Sequence, residues 1–465
     1  MRVIICGFGV VGSTIAVYLS EENNSVTVID ENPDVVAHAS SAYDVAGLCG
    51  HAAHPETLQE AGAEEADLIL AVTQSDEVNM VACQVAHSLF NVPKKIARIR
   101  NQSYLDPAWA NLFSRAHMPI DVIISPEQEV ARAIIQRLSI PGAFNVIPLA
   151  DRKLYLIGAI CGPECPVQST AIGHFAKLFP DLSIEILAIL RDGEHFYPGP
   201  DDQVLTEDEV FFLVRSEDIS RAMAVFGHEE PSARHVAILG GGNIGLCLAQ
   251  MIREGRASRG SRRLIPDLRI VERDTKQAYK IQEQLPKSMV LCGDALDPQV
   301  LKEAGVDRCE TVVAVTNDDE ANILASLLSK HHGAVQAVTL VNNSAYTPLL
   351  NHLGVDAVVA PKAVTVSSIL QFVRRGRVRA VHSLQEGIAE VIEVEVREGA
   401  PVLSMPVAEI KWPSRTRIGA VIRGSDVIFP GPKLNLMARD RLVLMAPQSQ
   451  IAQIEDMVNT PVGFE

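Results

Sequence analysis

The chain contains RVIICGFGVVG at residues 2–12 and HVAILGGGNIG at residues 235–245, each a short apolar run followed by G-x-G-x-x-G. Before a helix, this pattern predicts a Rossmann-like unit. The first glycine allows a tight turn, the second lets the backbone approach a pyrophosphate, and the third lets helix and strand pack closely. The two copies therefore predict two doubly wound parallel α/β sheets in one chain.

The repeat extends well beyond the glycines. AVTQSDEVNM (71–80) is echoed by AVTNDDEANI (314–323), and AILRDGEHFYPGP (188–200) is echoed by AVIRGSDVIFPGP (420–432). A nearly constant offset along the whole chain indicates a tandem duplication of a large unit rather than a short solenoid repeat.

Each half divides into two lobes. Strands alternating with helices indicate a parallel sheet in the first part of each half, and short β-type runs separated by Gly, Pro and Asp indicate a small α+β lobe after it. The predicted domains are Rossmann-like lobes at 1–124 and 233–360, and small lobes at 144–229 and 380–462.

Composition restricts the class of protein. The 465 residues are 47% hydrophobic and 21% charged, with a formal net charge of −16. This acidity disfavours nonspecific nucleic-acid binding, which relies on Lys and Arg. No apolar run approaches the roughly 18 residues of a membrane span, and the N-terminus shows no signal-peptide pattern. The eight cysteines lie mostly in apolar runs and are expected to be reduced core residues, so we predict a cytoplasmic protein.

An acidic residue ends the second predicted strand of each half, namely Asp30 and Glu272. Each carboxylate can accept hydrogen bonds from ribose hydroxyls and would repel a 2′-phosphate, so NAD, ATP or ADP fits better than NADP. The distance from first glycine to acid is 23 residues in the first half and 32 in the second, because of an arginine-rich insert within 253–267. A unit that no longer binds nucleotide is the alternative for the second half.

Polar residues follow a buried-type strand in both halves, at the edge that faces the ligand crevice of a doubly wound sheet. They are Thr73 and Gln74 in the first half and Thr316 and Asn317 in the second. Their hydroxyl and amide groups are candidates for lining a nucleotide. The alternative is helix capping, which the sequence predicts for Ser75 and Asp318 in any case.

Two arginines distinguish the halves. Arg98 and Arg100 lie on a predicted strand (95–100) with the same facing, where they can meet phosphates. The corresponding stretch TLVNN (339–343) has no arginine. We therefore expect unequal sites, with the more highly charged ligand in the first half. A solvated pair forming salt bridges is the alternative.

The loop after the third strand reads Gly50-His51-Ala52 in the first half and Gly293-Asp294-Ala295 in the second. Asp294 is typical of a turn on the adenine side, whereas His51 departs from it. We expect His51 to be a surface residue rather than a metal ligand, since no further His or Cys lies at ligand spacing.

No catalytic constellation is found. The chain lacks a P-loop lysine and a G-x-S-x-G motif, and no acid–base dyad is placed for hydride chemistry. The Cys161-x-x-x-Cys165 segment favours a structural role over a redox or metal role. We expect no catalytic residue, no metal site and a protein that is not an enzyme.

Taken together, these motifs resemble the TrkA family, peripheral nucleotide-binding subunits of bacterial Trk-type potassium uptake systems. The resemblance covers essentially the whole chain. It rests on GFGVVG, the VID that ends in Asp30, AVTQSDEVNM, ARIR, GGGNIG, IVERD, GDA and AVTNDDEANI. It implies two RCK (KTN) units in tandem, each with a Rossmann-like lobe and a small C-terminal lobe.

The resemblance also implies where a nucleotide, NAD(H) or ATP/ADP, is bound. In the first unit the expected contacts are Gly7, Phe8, Gly9, Val10, Val11, Gly12, Asp30, Thr73, Gln74 and Arg98. In the second they are Gly240, Gly241, Gly242, Asn243, Ile244, Gly245, Glu272, Asp294, Thr316 and Asn317. His51 and the arginine-rich insert are the departures from the family pattern.

The implied function is regulation of a Trk-type membrane potassium transporter by nucleotide binding, from the inner face of the cell membrane. Helices at 126–140 and 361–375 are candidate swapped or dimer-forming elements, and a homodimer or homotetramer is expected. The alternatives are an NAD-dependent oxidoreductase with a duplicated fold and a regulator of another channel or antiporter.

Overall fold

The computed structural model describes residues 1–21, 24–163, 165–229, 233–254, 265, 267–346, 349–350, 353–373, 378–384, 389–431 and 433–459. Most of the arginine-rich insert and residues 460–462 of the last predicted lobe lie outside these ranges. Within them the chain forms four sheets, two parallel and two antiparallel, in alternation.

The first sheet is fully parallel, with the order β3-β2-β1-β4-β5-β6. Its strands are β1 (Arg2–Cys6), β2 (Ser25–Asp30), β3 (Ala46–Cys49), β4 (Leu68–Ala71), β5 (Lys94–Arg98) and β6 (Val122–Ile124). Its helices are α1 (Val10–Glu21), α2 (Pro33–Ala42), α3 (Pro55–Glu60) and α4 (Asp76–Ser88). The strand order reverses between β1 and β4, and ligands of such sheets bind beyond the carboxyl ends of the strands at this point.

Helix α5 (Pro126–Ser139) leads out of this sheet into the first small lobe. The lobe is an antiparallel sheet with the order β10-β9-β11-β8-β7. Its elements are β7 (Ala143–Leu149), β8 (Leu154–Ile160), α6 (Phe175–Leu178), β9 (Ile184–Arg191), β10 (Glu194–Phe196), β11 (Glu209–Arg215) and α7 (Ile219–Val225).

The second parallel sheet repeats the first, with the order β14-β13-β12-β15-β16-β17. Its strands are β12 (His235–Leu239), β13 (Asp267–Glu272), β14 (Met289–Cys292), β15 (Thr311–Ala314), β16 (Gln336–Leu340) and β17 (Ala357–Val359). Its helices are α8 (Asn243–Arg253), α9 (Thr275–Gln284), α10 (Pro298–Glu303) and α11 (Asp319–His331).

After helix α12 (Pro361–Val373), the chain enters the second small lobe, an antiparallel sheet with the order β18-β19-β22-β20-β21. Its elements are β18 (Val378–Leu384), β19 (Ala389–Glu395), β20 (Arg417–Arg423), β21 (Asp426–Ile428), β22 (Arg441–Ala446) and α13 (Ile451–Val458). The strand order matches that of the first small lobe, so the duplication holds for both lobes. The domain boundaries themselves remain a prediction.

The chain forms two compact units that do not coincide with the two halves. One comprises the described residues of 1–129 and 361–375, and the other comprises the remaining described residues. Helix α12 follows the second parallel sheet in sequence but packs on α1 and β6 of the first. Its buried Val366, Ile369 and Leu370 join Ile15 and Leu19 in one apolar core. One of the two helices that we predicted as swapped or dimer-forming elements therefore packs on the first sheet of its own chain, although it follows the second.

The second unit contains both small lobes, which share a core. Leu156, Leu187 and Leu213 of the first lobe and Val391, Ile422 and Met445 of the second belong to one buried cluster. A set of polar contacts accompanies it and centres on Glu393, which is 4% exposed.

Glu393 joins the two lobes through a charged network. Its Oε2 accepts the Ala150 N–H at 3.0 Å and its Oε1 accepts from Arg441 at 2.8 Å. Arg441 also contacts Asp151 at 3.1 Å. Ala150, Asp151 and Arg152 all have positive φ angles, of 50°, 55° and 68°. Because such conformations are strained for residues other than glycine, contacts from the opposite lobe must hold this turn in place.

We therefore expect Glu393→Gln to lower the free energy of unfolding by about 1.5–2 kcal/mol, through loss of a buried charge-assisted hydrogen bond. Chemical denaturation of the full chain measures this change. The matched control is Glu398→Gln, which removes the ion pair between Glu398 and Arg439. These side chains are 75% and 80% exposed, so the denaturation midpoint should stay unchanged. Equal effects of the two substitutions would contradict the role of Glu393.

Candidate functional site

The glycine loop of the first half has the geometry that its sequence predicts. Gly7 adopts φ +96° and its N–H donates to the Ile29 carbonyl at 2.8 Å. A Cβ on Gly12 would lie 1.9 Å from the Gly7 oxygen, whereas a Cβ on Gly9 would have no atom within 4 Å. Gly12 is thus required by packing. The space above Gly9 is open beside the first turn of α1, whose N–H groups have no intrahelical partner.

Asp30 braces this loop from the end of β2. Its Oδ2 accepts the Phe8 N–H at 2.8 Å and its Oδ1 accepts the Asn32 N–H at 3.0 Å. Each carboxylate oxygen can accept more than one hydrogen bond, so both remain available to ribose hydroxyls. The residue therefore orders the loop and can also contact a ligand there.

Thr73 lies across the crevice from the glycine loop, since a Cβ on Gly7 would lie 3.0 Å from its backbone nitrogen. The Thr73 hydroxyl and N–H both donate to Asn79 Oδ1, at 2.7 Å and 2.8 Å. The Asn79 amide in turn donates to the Arg98 carbonyl at 2.9 Å. With its proton donated to Asn79, the Thr73 hydroxyl can meet a ligand only as an acceptor.

Arg100 does not lie on β5, which corrects the predicted strand at 95–100. The strand ends at Arg98, and the N–H groups of Arg100 and Asn101 turn to the Asp76 carboxylate, at 3.0 Å and 2.8 Å. Asp76 stands at the start of α4 and is 8% exposed. This long-range carboxylate pulls the backbone out of the sheet, so only Arg98 keeps the predicted position at a strand end.

The first site contains two partly buried side chains of opposite charge, Arg98 and Glu127. Both side chains have a buried atom without a hydrogen-bond partner, Nε of Arg98 and Oε2 of Glu127. Burial lowers the pKa of Arg98, and repulsion from Arg100 lowers it further. Burial also raises the pKa of Glu127. A guanidinium held in this state, with an unsatisfied N–H, is suited to gain a phosphate partner.

The second half repeats the loop geometry. Gly240 adopts φ +108°, and a Cβ on Gly245 would lie 1.9 Å from the Gly240 oxygen. Glu272 accepts the Gly241 N–H at 2.7 Å, as Asp30 does for Phe8. The loop is therefore preformed in both halves.

The polar network is also repeated. The Thr316 hydroxyl donates to Asn322 at 2.7 Å, and Asn322 donates to the Leu340 carbonyl at 3.0 Å. Leu340 thus occupies the position of Arg98, and its side chain is 2% exposed. The end of this strand is apolar where the first half carries a charge, and unequal ligand sites stay a prediction.

The two glycine loops differ in which of two packed positions carries the large side chain and which carries the small one. Phe8 and Ala39 share a core in the first half. Gly241 and Ile281 stand at the equivalent positions, and a Cβ on Gly241 would lie 2.3 Å from Ile281 Cδ1. In each half one large and one small side chain fill the same space, so the identity of the second loop residue is set by core packing.

The remaining predicted contacts lie around these loops. Val10 is 53% exposed at the start of α1, and Val11 follows it in a half-buried position. Asn243 and Ile244 begin α8 in the same way. Gln74 and Asn317 are exposed after β4 and β15. At the loop tips, Gly9 is exposed and Gly242 is half-buried.

His51 and Asp294 make the same local contact with different atoms. His51 Nδ1 accepts the Ala53 N–H at 3.2 Å, and Asp294 Oδ1 accepts the Leu296 N–H at 2.9 Å. The histidine therefore preserves the turn. His51 also stacks on His54 with ring centroids 4.5 Å apart. Among the described residues, no three His, Cys, Asp or Glu side chains are grouped to hold a metal ion.

Cys49 and Cys292 end the third strands and are the two exposed members of the eight cysteines. Cys49 pairs in register with Asp30, and Cys292 with Glu272. Each thiol therefore lies one strand away from a carboxylate predicted to bind ribose.

Of the arginine-rich insert, the structure describes Arg253, which donates to Ser288 at 2.8 Å and to the Lys287 carbonyl at 3.0 Å.

Sequence reasoning missed Asn79, Asp76 and Glu127. Asn79 and its counterpart Asn322 are fully buried, and Asp76 has a counterpart in Asp319, which accepts the Asn342 N–H at 2.9 Å. The signal for Asp76 and Asn79 was the repeated D-E-x-N segment, whose residues tie α4 and α11 to the neighbouring strands, whereas Glu127 lies outside this segment. Within the described ranges, every helix is too short or too polar to cross a bilayer.

Comparison with known proteins identifies both Rossmann-like lobes and the second small lobe. The TrkA-N domain family matches residues 3–126 and 236–361, and the TrkA-C domain family matches residues 391–459. Together these matches cover more than half of the chain, and the two TrkA-N matches fall on the two parallel sheets.

Relatives match over the full length. The Trk system potassium uptake protein TrkA of Azorhizobium caulinodans is 44% identical over 464 residues, covering 100% of both chains. The TrkA of Vibrio alginolyticus is 36% identical over 468 residues, again covering 100% of both. TrkA homolog 1 of Methanosarcina mazei is 30% identical, covering 98% of this chain and 99% of its own.

Solved structures share the fold. The GsuK channel has a TM-score of 0.60 at 18% identity, covering 98% of this chain and 78% of its own. The GsuK channel bound to NAD has a TM-score of 0.59 with the same coverage. The GsuK RCK domain has a TM-score of 0.57, covering 98% of this chain and 94% of its own.

Proposed function

Because this chain belongs to the TrkA family, we propose that it is a nucleotide-sensing regulatory subunit of a Trk-type potassium uptake system. It acts from the cytoplasm, at the inner face of the membrane, on a membrane potassium-translocating subunit. One observation carries the proposal. The chain holds two preformed glycine loops, and among the described residues the first is accompanied at its crevice by a half-buried arginine, Arg98, whose buried Nε has no hydrogen-bond partner, whereas Leu340 stands at this position in the second.

The first site fits a nucleoside polyphosphate. Phosphate groups meet the glycine loop and the first turn of α1, which offers unpaired N–H groups and the positive end of a helix dipole. Asp30 accepts from ribose hydroxyls, and Arg98 neutralises further phosphate charge. The second site has Glu272 but Leu340 in place of Arg98, and it suits a less charged nucleotide such as NAD(H).

Coupling to a partner requires that the ligand favour one arrangement of the lobes over another. Arg98 and Glu127 attract each other electrostatically, and Glu127 is the second residue of α5, which leads out of the first Rossmann-like lobe. A phosphate at Arg98 competes with the Glu127 carboxylate. The charge of the nucleotide therefore changes the electrostatic interaction of Glu127 at the start of α5, where the chain leaves this lobe.

We infer a homo-oligomer, a dimer or a tetramer, that presents its lobes to the membrane subunit. The direct test is co-purification with the membrane potassium-translocating subunit from the same cells, with light scattering of the purified chain to give its mass. Turnover of an alcohol, amino acid or hydroxy acid with NAD, without co-purification, would favour an oxidoreductase instead.

The exposed thiols Cys49 and Cys292 can report the occupancy of each site. We expect ADP or ATP to slow alkylation of Cys49 by N-ethylmaleimide at least about fivefold in Cys292→Ser, because bound ligand covers the crevice beside Asp30. Mass spectrometry measures the rates. In the matched variant Cys49→Ser, the same nucleotides should protect Cys292 less than NAD(H) does. Protection of Cys292 alone by ADP would reverse the assignment of the sites.

A further inference from the structure

The two small lobes meet through strands that are equivalent in the duplication, β9 and β20. The repeated segments AILRDGEHFYPGP and AVIRGSDVIFPGP align position 188 with 420, so 187 corresponds to 419 and 185 to 417. The ladder between β9 and β11 skips Leu187, and the ladder between β20 and β22 skips Gly419. A bulge of this kind leaves one residue unpaired and redirects its strand. Both lobes are therefore bulged at the same position, which carries a large residue in one lobe and a glycine in the other.

Leu187 and Gly419 share one space between the lobes. Leu187 is fully buried in the core to which both lobes contribute. A Cβ on Gly419 would lie 2.9 Å from Leu187 Cδ2 and 2.3 Å from Leu213 Cδ1. No side chain fits at position 419 while these two leucines keep their places. The leucine of the first lobe therefore fills the space that the glycine of the second lobe leaves.

Two positions earlier, the same strands carry opposite charges. Arg417 donates to Glu185 Oε1 from Nε at 3.3 Å, and its Nη2 lies 3.2 Å from the same oxygen. Arg417 also donates to the Pro198 carbonyl of the first lobe. The Glu185 and Arg417 side chains are only 24% and 29% exposed, so the pair is partly withdrawn from water. Size and charge are thus both complementary between residues that the duplication makes equivalent.

A pairing of two identical lobes would lose both complementarities, because a residue that meets its equivalent would then meet itself. Two first lobes would oppose Leu187 to a second leucine and Glu185 to a second carboxylate. Two second lobes would leave a cavity at Gly419 and oppose two arginines at position 417. Overpacking, cavities and like charges that face each other all destabilise an interface.

We propose that the pairs Leu187–Gly419 and Glu185–Arg417 make this face of the small lobes a heterotypic docking surface. Each small lobe accepts the other kind of lobe and rejects a lobe of its own kind from a second copy of the chain. The structure shows the matched pairing inside one chain, so this face is already filled. Copies of the chain therefore associate through other surfaces, and this conclusion does not depend on nucleotide binding.

The test reverses each charge in the full chain and compares Glu185→Arg, Arg417→Glu and the double variant by chemical denaturation. Each single reversal places like charges where the lobes meet, so we expect the denaturation midpoint to fall. The double variant restores an opposite pair and should recover more than about half of the summed loss. Such recovery separates a matched pair from two independent contacts. If a single variant fails to fold, a double variant that folds gives the same answer.

Glu398→Arg is the matched control, because it places like charges at the exposed ion pair with Arg439 in the second lobe. It should leave the midpoint unchanged. Light scattering of the folded parent and double variant should give equal masses, since copies do not meet at this face. A double variant no more stable than the single ones would overturn the proposal. So would a charge reversal that changes the mass of the assembly while the midpoint stays that of the parent.

Discussion

Replacing Gly12 with alanine is expected to destabilise the first Rossmann-like lobe strongly, whereas replacing Gly9 leaves stability unchanged and weakens nucleotide binding. A Cβ at position 12 would lie 1.9 Å from the Gly7 oxygen, and neither backbone segment can yield without breaking the loop. We expect a loss of about 3 kcal/mol or more, at the upper end of overpacking effects. At position 9 no atom lies within 4 Å.

The Gly9→Ala methyl group projects where phosphate oxygens approach the backbone. We expect its stability to stay within about 0.5 kcal/mol of the parent. Its nucleotide dissociation constant should rise by about tenfold or more, which corresponds to about 1.4 kcal/mol. Denaturation and calorimetric titration with ADP measure the two quantities. If Gly9→Ala binds as the parent does, the loop is not the phosphate site.

The second large effect is expected from Arg98→Leu, which installs the residue that the second half carries at position 340. Loss of a charge-assisted hydrogen bond to phosphate should cost about 1.5–3 kcal/mol of ADP or ATP binding, or roughly a 10- to 150-fold weaker dissociation constant. In the ligand-free protein two effects oppose each other, because the variant removes a buried Nε that has no partner but also the attraction of Arg98 for Glu127, so we expect a smaller change in stability than in binding.

Arg100→Ala is the matched control for this substitution. Its side chain is 51% exposed and only approaches Glu127, at 3.7 Å, so a smaller effect on binding is expected. Calorimetric titration with ADP, ATP, NAD and NADH compares the variants. Equal losses from Arg98→Leu and Arg100→Ala would point to general charge attraction rather than a specific contact.

Local features were predictable from the sequence because their causes lie within a few residues. Ser75 caps α4 by accepting the Val78 N–H at 3.2 Å, and Asp318 caps α11 through the Ala321 N–H at 2.8 Å, as expected. The parallel sheets follow in the same way from the alternation of strands and helices around each glycine loop.

Features that depend on distant residues were not predictable in this way. Arg100 was wrongly placed on a strand because Asp76, 24 residues away, captures its N–H group. The shared core of the two small lobes joins Leu213 to Val391, which no local pattern reveals. The exchange of Phe8 and Ala39 for Gly241 and Ile281 becomes visible only when the two halves are compared in space.

Regulation through the first glycine loop is tested most directly by rubidium flux through the membrane potassium-translocating subunit, reconstituted in vesicles with this chain. At a nucleotide concentration near the dissociation constant of the parent chain, we expect ADP or ATP to change the flux much more with the parent chain than with Gly9→Ala, which still binds the membrane subunit. A flux that ignores nucleotides, or that responds equally with Gly9→Ala, would contradict regulation through the first glycine loop.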